Sequence, residues 1–298
     1  MLIGSEMVGL SSVRGAGNSF PFVDALVTLA ANVRAIVGPA TKLTYAADWS
    51  EYSGCQKNGA KFFHLDPLWA SPDIDAVGID CYMPLADWRD GETHADLALA
   101  RTGYELDYLA GNIERGEGYD WFYASEADRR AQLRTPITDG AHGEPWIWRY
   151  KDIEAFWGQQ HYDRPGGVRN AFPTAWAPGS KPIWLTEIGC GAVDKGANQP
   201  NIFGDSKSAE DGRPYFSAGT PDALIQRQVL RAHHRRWNDP SLNPAGMVDS
   251  ERLYCWTWDA RPFPVFPALT EVWSDGANHP TGHWLTGRLG GLASDELA

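Results

Sequence analysis

Apolar residues recur along the chain in short continuous runs, separated by polar stretches rich in glycine and proline. Continuous apolar runs of this length are typical of strands that are buried on both faces of a parallel sheet. The pattern therefore predicts five core strands, at residues 2–7, 42–47, 75–81, 182–188 and 252–258.

Two segments between these runs have the spacing of amphipathic helices. The first is predicted over residues 19–37, where apolar side chains recur at the helical period: Phe22, Leu26, Leu29, Val33 and Ile36. The second begins at Thr220-Pro221-Asp222 and runs to about Trp237, with Thr220 predicted as the N-cap and Pro221 at the first helical position. Helices between strands indicate β-α-β units, which require parallel strands.

A long excursion, residues 85–180, separates the third and fourth predicted strands. It is too long for a plain connection, which predicts an inserted subdomain or long loops over a site. A closed (β/α)₈ barrel needs eight strands and typically about 250 residues. Five strands leave two interpretations within the α/β class, an open sheet or part of a barrel.

The charge balance limits the partners. The 298 residues include 38 acidic and 26 basic side chains, a formal net charge of −12. This balance argues against a nucleic-acid or anionic-membrane surface and suits a neutral polysaccharide. The 14 tryptophans fit either sugar-binding faces or core packing, and core packing is favoured for most of them. The sequence shows neither a secretory signal peptide nor an apolar run of about 18 residues, so we expect no membrane insertion.

The cysteines point to no metal and no disulfide framework. Cys55, Cys81, Cys190 and Cys255 are widely spaced, and they form neither a CxxC pair nor a zinc-type cluster with histidine. We expect buried free thiols. No glycine-rich phosphate loop is present, which weakens a reading as an open α/β binding protein of another class. The sequence predicts no cofactor.

Two acids occupy the same kind of position in the sequence. Glu6 and Glu187 each stand at the carboxyl end of a predicted strand, where active sites lie in parallel α/β folds. Two carboxylates on one rim are the apparatus of glycoside hydrolysis, in which one protonates the leaving oxygen and the other attacks the anomeric carbon or activates water. The alternative is that such an acid only caps or pairs with a neighbouring loop.

Several long segments carry a family resemblance: IGSEMVGLSSVRG, LTYAADWSEY, FFHLDPLWASPDIDAVGIDCYMPLADWRDG, WLTEIGCGAVDKGANQPN and TWDARPFPVFP. With these segments the chain resembles the glycoside-hydrolase TIM-barrel-like domain of gene transfer agent and phage-like tail proteins. The resemblance covers most of residues 1–290, leaving 291–298 as a tail or the start of a following region. It implies an incomplete (β/α)₈ TIM-barrel-like fold, with strands four to eight present and residues 85–180 inserted between strands six and seven.

The resemblance also implies roles. By position, Glu6 after the fourth strand corresponds to the acid/base of retaining glycosidases, and Glu187 after the seventh corresponds to the nucleophile. Ser5 departs from the asparagine that usually precedes the acid. Further rim residues are candidates for substrate binding: Asp48, Trp49, Tyr82, Trp258 and Asp259. Trp258 is the preferred platform for a sugar ring. For Tyr82 and Trp258 the alternative is that they only pack against neighbouring residues.

These observations together predict a retaining glycoside hydrolase-like module of a phage-like tail protein, acting on a cell-envelope or capsular polysaccharide. The expected partners are that polysaccharide and other tail proteins, after synthesis in the cytoplasm and assembly into a particle. The alternative is a non-catalytic carbohydrate-binding or structural tail module. Ser5 and the three barrel strands that the pattern does not account for favour this alternative, and they leave open that the fragment is inactive.

Overall fold

The computed structural model describes residues 1–202, 210–256, 268 and 270. Contacts divide the chain into two compact units, Met1–Trp256 and Thr257–Ala298. The strands and helices given next lie in the first unit.

The strands of the described residues are β1 (Leu2–Ser5), β2 (Thr44–Asp48), β3 (Cys55–Lys57), β4 (Ala60–Phe62), β5 (Val77–Cys81), β6 (Trp121–Phe122), β7 (Thr135–Pro136), β8 (Ile183–Ile188) and β9 (Val248–Cys255). The α-helices are α1 (Val8–Ser11), α2 (Pro21–Val37), α3 (Asp66–Trp69), α4 (Leu106–Gly111), α5 (Glu126–Ala131), α6 (Ile153–Gly158) and α7 (Ala223–Asn238). Single 3₁₀ turns lie at Ala16–Asn18, Ala95–Ala98, Asn112–Glu114, Pro145–Trp148, Pro165–Gly167, Gly196–Asn198 and Pro244–Gly246.

Within the described residues, one parallel sheet contains the five predicted core strands in the order β1-β2-β5-β8-β9. The α/β class and the parallel pairing are therefore confirmed. Two short antiparallel pairs, β3-β4 and β6-β7, lie outside this sheet and were not predicted.

The last strand begins earlier than predicted, at Val248 rather than at residue 252. Its first residues become steadily more exposed, from buried Val248 through Asp249 to exposed Glu251, because β9 is an edge strand with a solvated side. Because these first residues do not form a continuous apolar run, the sequence pattern did not mark the start of β9. Residues 257 and 258 of the predicted strand lie outside the described residues.

The centre of the sheet is buried as the apolar runs predicted. Every residue of β5 is buried, and so are Ile183, Trp184 and Leu185 of β8. At the edges, Leu2 of β1 and Tyr254 of β9 are exposed. The sheet is thus covered on its faces and open at β1 and β9 within the described part of the chain.

Helix α2 confirms the first predicted helix. It buries Val23, Leu26 and Ala30 against the core. The predicted apolar face is wrong at two positions, because Leu29 and Ile36 are exposed. The apolar face of this helix is therefore wider than the part of it that the core covers.

Helix α7 confirms the second predicted helix but corrects its N-cap. The cap is Asp222, whose Oδ1 accepts hydrogen bonds from the backbone N–H groups of Leu224 and Ile225, at 3.0 and 3.1 Å. Thr220 instead uses its own backbone N–H to bond Asp194 Oδ1 at 2.8 Å. Two bonds from one carboxylate satisfy two of the unpaired N–H groups at the helix start.

We expect Asp222→Ala to lower the free energy of unfolding by about 1 kcal/mol, the usual value of an N-cap. The urea midpoint with unchanged slope measures it. Thr220→Ala is the matched control and should change stability by less than about 0.5 kcal/mol. A larger loss at Thr220 would restore the original assignment of the cap.

Most of the tryptophans that the structure describes in the core pack together. Trp157 contacts Tyr52, Trp69 and Trp176 within one aromatic cluster. Trp157 and Trp176 are each 1% exposed. Residues from the excursion 85–180 therefore belong to the same hydrophobic core as the sheet.

The four cysteines, all within the described residues, carry free thiols, as predicted. The expected burial is confirmed for Cys81 and Cys190 and is wrong for Cys55 and Cys255, which are partly exposed. In the described part of the chain, no helix has the length and apolar character needed to cross a bilayer.

Candidate active site

Acidic side chains occupy the carboxyl-end rim of four neighbouring strands. Glu6 follows β1, Asp48 ends β2, and Asp80 and Glu187 are the penultimate residues of β5 and β8. The strand register pairs Asp48 with Asp80 and Asp80 with Glu187. Because parallel strands end at one edge, the sheet gathers these carboxylates in one place.

The backbone turns sharply at Glu6. This residue has φ 51°, in the left-handed region that non-glycine residues rarely adopt. Its N–H donates to the carbonyl of Ala46 at 2.8 Å, and the N–H of Met7 donates to the Tyr45 hydroxyl at 2.8 Å. Contacts to β2 thus hold the unusual conformation, which is the kind of strain that accumulates at functional sites.

Glu6, Asp80 and Glu187 form a compact group, called here the carboxylate triad. One carboxylate oxygen of each lies within 4.8 Å of those of the other two. Retaining glycosidases hold their two carboxyl groups roughly 5–5.5 Å apart, and inverting enzymes roughly 6.5–9.5 Å. The 4.8 Å limit between one oxygen of Glu6 and one of Glu187 suits the short spacing better than the long one. Three hard oxygen donors in this arrangement are also a set that a divalent cation can use.

Asp80 is the buried member of the triad, 0% exposed. Its Oδ1 accepts a hydrogen bond from the Thr186 hydroxyl at 2.6 Å. Desolvation, followed by the negative charges of Glu187 and Asp48, raises the pKa of Asp80 to about 7, against the lowering effect of the Thr186 hydrogen bond.

Glu187 is held by Tyr82. The Tyr82 hydroxyl donates to Glu187 Oε2 at 2.5 Å. Burial raises the pKa of Glu187, whereas the Tyr82 hydrogen bond lowers it. Burial and the contact with Glu187 raise the pKa of Tyr82 far above its ordinary value, so the phenol remains a donor. One oxygen of Glu187 is thus fixed by the protein.

Glu6 is the exposed member. Although its side chain reaches solvent, desolvation raises its pKa, and the charges of Asp80 and Glu187 add to the effect. Asp48 and Glu210 contribute further, and the resulting pKa is about 8. Glu210 belongs to the polar loop after β8, so that loop also adds negative charge to the rim.

The comparison with protein families decides the identity of this domain. The family model of the gene transfer agent (GTA) TIM-barrel-like domain matches residues 1–267. The chain belongs to that family. The match covers the whole parallel sheet and all three acids of the triad. Comparison with curated proteins finds no match.

Membership in the GTA TIM-barrel-like family confirms the resemblance drawn from the sequence. The catalytic roles carried over by position are a separate matter and stay predictions. What the fold adds is that β1 and β8, whose acids are far apart along the chain, bring one carboxylate oxygen of Glu6 within 4.8 Å of one of Glu187.

The other predicted site residues have different surroundings in this family member. Asp48 Oδ1 accepts the backbone N–H of Ser50 at 2.7 Å, which fixes the turn after β2. Trp49 is half-buried and packs edge-on against Tyr150, with ring centroids 4.9 Å apart. Trp258 and Asp259 lie outside the described residues.

A buried network below the rim supports Glu6. Glu51, 2% exposed, accepts hydrogen bonds from the hydroxyls of Ser11 and Tyr45, the latter at 3.0 Å. The N–H of Asp48 also donates to Glu51, at 3.3 Å. This carboxylate ties the segment after β1 to the segment after β2, so the turn at Glu6 is anchored from beneath.

Asp80 was missed by sequence reasoning. It lies in the apolar run Ile74–Cys81, which predicted a buried strand and nothing more. The available signal was the rule applied to Glu6 and Glu187, an acid at the carboxyl end of a core strand. Applied to every strand, that rule also selects Asp80.

Proposed function

We propose that this domain is a retaining glycoside hydrolase that acts on a cell-envelope or capsular polysaccharide. One observation carries the proposal: the Glu6 and Glu187 carboxylates lie within 4.8 Å on the carboxyl-end rim. Membership in the GTA TIM-barrel-like family supports a setting in a gene transfer agent or phage-like tail, with other tail proteins as partners.

The two glutamates have different surroundings, which suit different roles. Glu6 is exposed, within reach of a leaving-group oxygen, and its pKa of about 8 favours the protonated form. Glu187 has Oε2 fixed by Tyr82, which leaves Oε1 for attack. Glu6 then protonates the leaving oxygen while Glu187 bonds to the anomeric carbon, and the glycosidic C–O bond breaks.

The second half of the reaction uses the same residues in reverse. Glu6, now ionised, removes a proton from water. The water oxygen bonds to the anomeric carbon, and the ester bond to Glu187 breaks. Two inversions restore the starting configuration, so the product retains it.

The finer description of the fold is part of the same proposal. The five parallel strands correspond to strands four to eight of a (β/α)₈ barrel, with residues 85–180 as the long insertion before β8. The exposed apolar side chains on both edge strands, Leu2 on β1 and Tyr254 on β9, support this reading. A barrel has no free edges.

The configuration of the first-formed product tests the proposal. Purified protein is incubated with capsular and cell-envelope polysaccharides, and the anomeric proton of the released end is followed by NMR before mutarotation. We expect retention. Inversion would contradict the roles given to Glu6 and Glu187. Binding without any cleavage would favour a non-catalytic carbohydrate-binding module, which Ser5 beside Glu6 also suggests.

Tyr82→Phe is expected to lower kcat about 10- to 100-fold, since hydrogen bonds to charged groups are worth roughly 1.5–3 kcal/mol. The Tyr82 hydroxyl holds the attacking carboxylate of Glu187 in place. Tyr104→Phe is the matched control, because Tyr104 donates to Asp222 at 2.7 Å and does not bond Glu187. Equal rates in both variants would exclude this positioning role.

A further inference from the structure

Asp80 carries a buried oxygen whose bonding is incomplete. Thr186 bonds Oδ1, whereas Oδ2 has no hydrogen-bond partner among the described residues. The residue is 0% exposed. A buried polar atom left without a partner costs roughly 1–3 kcal/mol. In native proteins such an atom points to a bound water or ion.

The charges around this oxygen favour an ion over a water molecule. No ion pair within the described residues involves Glu6, Asp48, Asp80 or Glu187. Charged groups that are removed from water are normally paired or bind a metal. A water would satisfy the hydrogen bonding of Asp80 Oδ2 and leave the repulsion between the carboxylates in place. A bound cation both contacts Asp80 Oδ2 and offsets the repulsion between the carboxylates.

We propose that Glu6, Asp80 and Glu187 together bind one calcium ion. Their oxygens all lie within 4.8 Å of one another. Oxygens on opposite sides of Ca²⁺ are about 4.6–5.2 Å apart, because each bond is about 2.3–2.6 Å long. Three acids from three strands of one sheet supply the protein ligands, and water completes the coordination shell.

The donor set selects among metals. All three ligands are carboxylate oxygens, which suit hard cations and lack the nitrogen and sulfur donors typical of zinc and copper sites. Mg²⁺ needs bonds of about 2.0–2.1 Å in near-ideal octahedral geometry. Mg²⁺ also keeps several of its waters and is usually bound through only one or two carboxylates, so a site with three protein carboxylates fits Ca²⁺ better.

Calcium binding goes beyond the proposed hydrolysis and does not depend on it. Only one consequence rests on the proposed function: the ion and the glycosyl group need the same oxygens of Glu187 and Glu6. Calcium therefore competes with the polysaccharide, and hydrolysis slows as the site fills.

Calorimetric titration of the full chain, freed of metal by a chelator, tests the site directly. CaCl₂ is added at about pH 8.5, where carboxylate ligands are deprotonated. We expect one ion per chain with a Kd of about 10⁻⁴ M or tighter. The same titration with MgCl₂ should give at least tenfold weaker binding. A rise in melting temperature with calcium follows by linkage.

Variants locate the ion. Asp80→Asn should weaken calcium binding at least tenfold. Glu6→Gln should do the same, and because the Glu6 side chain is exposed, we expect this variant to keep the fold. Asp239→Asn is the control, since Asp239 is the C-cap of α7, away from the carboxyl-end rim, and its Oδ1 accepts hydrogen bonds from the N–H and the hydroxyl of Ser241. It should leave binding unchanged.

Three results would overturn the site: no calcium binding, binding equally strong in Glu6→Gln and Asp80→Asn, or magnesium binding as tight as calcium. The outcome is independent of the enzyme test. Calcium binding without hydrolysis of any polysaccharide would reject the hydrolase alone. Hydrolysis without calcium binding would reject the metal site alone.

Discussion

Glu187→Gln is expected to lower kcat by on the order of 10⁴-fold while the fold is retained, as for other residues that act in covalent catalysis. Glutamine has nearly the same shape and can keep a hydrogen bond with Tyr82, which now bonds Oε2 at 2.5 Å. It cannot form the glycosyl ester. Reducing-end release measures the rate, and circular dichroism checks the fold.

Chemical rescue separates the two glutamates. Azide added to a Glu187→Gly variant attacks the substrate directly and gives a glycosyl azide of inverted configuration. Azide added to Glu6→Gly attacks the glycosyl ester on Glu187 and gives retained configuration. If Glu187→Gly gave the retained azide and Glu6→Gly the inverted one, the roles of the two glutamates would be reversed. Unchanged hydrolysis by Glu187→Gln would reject catalysis at this pair.

Trp157→Ala is expected to give the largest loss of stability, about 3–5 kcal/mol, as for other large-to-small changes of buried aromatic residues. Trp157 is 1% exposed. It stacks on Tyr52 with centroids 5.8 Å apart and meets Trp176 edge-on at 4.9 Å. Removing the indole leaves a cavity between several rigid rings that can move little to fill it. Urea unfolding measures the loss.

Phe172→Ala is the control for this prediction. Phe172 also lies in the excursion 85–180 but is 82% exposed. Its replacement should change the free energy of unfolding by less than about 0.5 kcal/mol. A small effect at Trp157 would mean that the excursion can separate from the sheet without loss of the core.

The packing of Trp157 bears on how the site is supported. The ring lies in α6, between Tyr52 from the segment after β2 and Trp69 from α3. The Tyr52 hydroxyl donates to the carbonyl of Tyr150 at 2.6 Å. Residues of the excursion thus brace the segment that carries Asp48 and Glu51. Loss of this packing is expected to loosen the rim as well as the core.

Hydrogen bonds and raised pKa values explain how the rim can hold several carboxyl groups close together. Four neighbouring strands carry acids at this rim, and within the carboxylate triad hydrogen bonds from Thr186 and Tyr82 reach one oxygen of Asp80 and one oxygen of Glu187. Raised pKa values at Glu6, about 8, and at Asp80, about 7, follow from desolvation and like charge. Such perturbed groups gather at functional sites. A proton, a developing glycosyl cation and a metal ion all relieve the same repulsion.

The sequence by itself determined the parallel α/β class, five core strands to within a few residues and the family. It also placed Glu6 and Glu187 at strand ends. These features are local: an apolar run marks a strand buried on both faces, and its last residues mark the carboxyl edge. Where burial is not symmetrical the pattern failed, as at the solvated start of β9 and on the outer face of α2.

Only the tertiary structure decided which acids lie close together and how they change one another's pKa. It brought Glu6 to Glu187 across the order β1-β2-β5-β8, inserted Asp80 between them and set Tyr82 against Glu187. It also moved the α7 cap to Asp222. Desolvation, charge repulsion and an unpartnered buried oxygen depend on neighbours that are distant in the chain. No local pattern of residues records those distances.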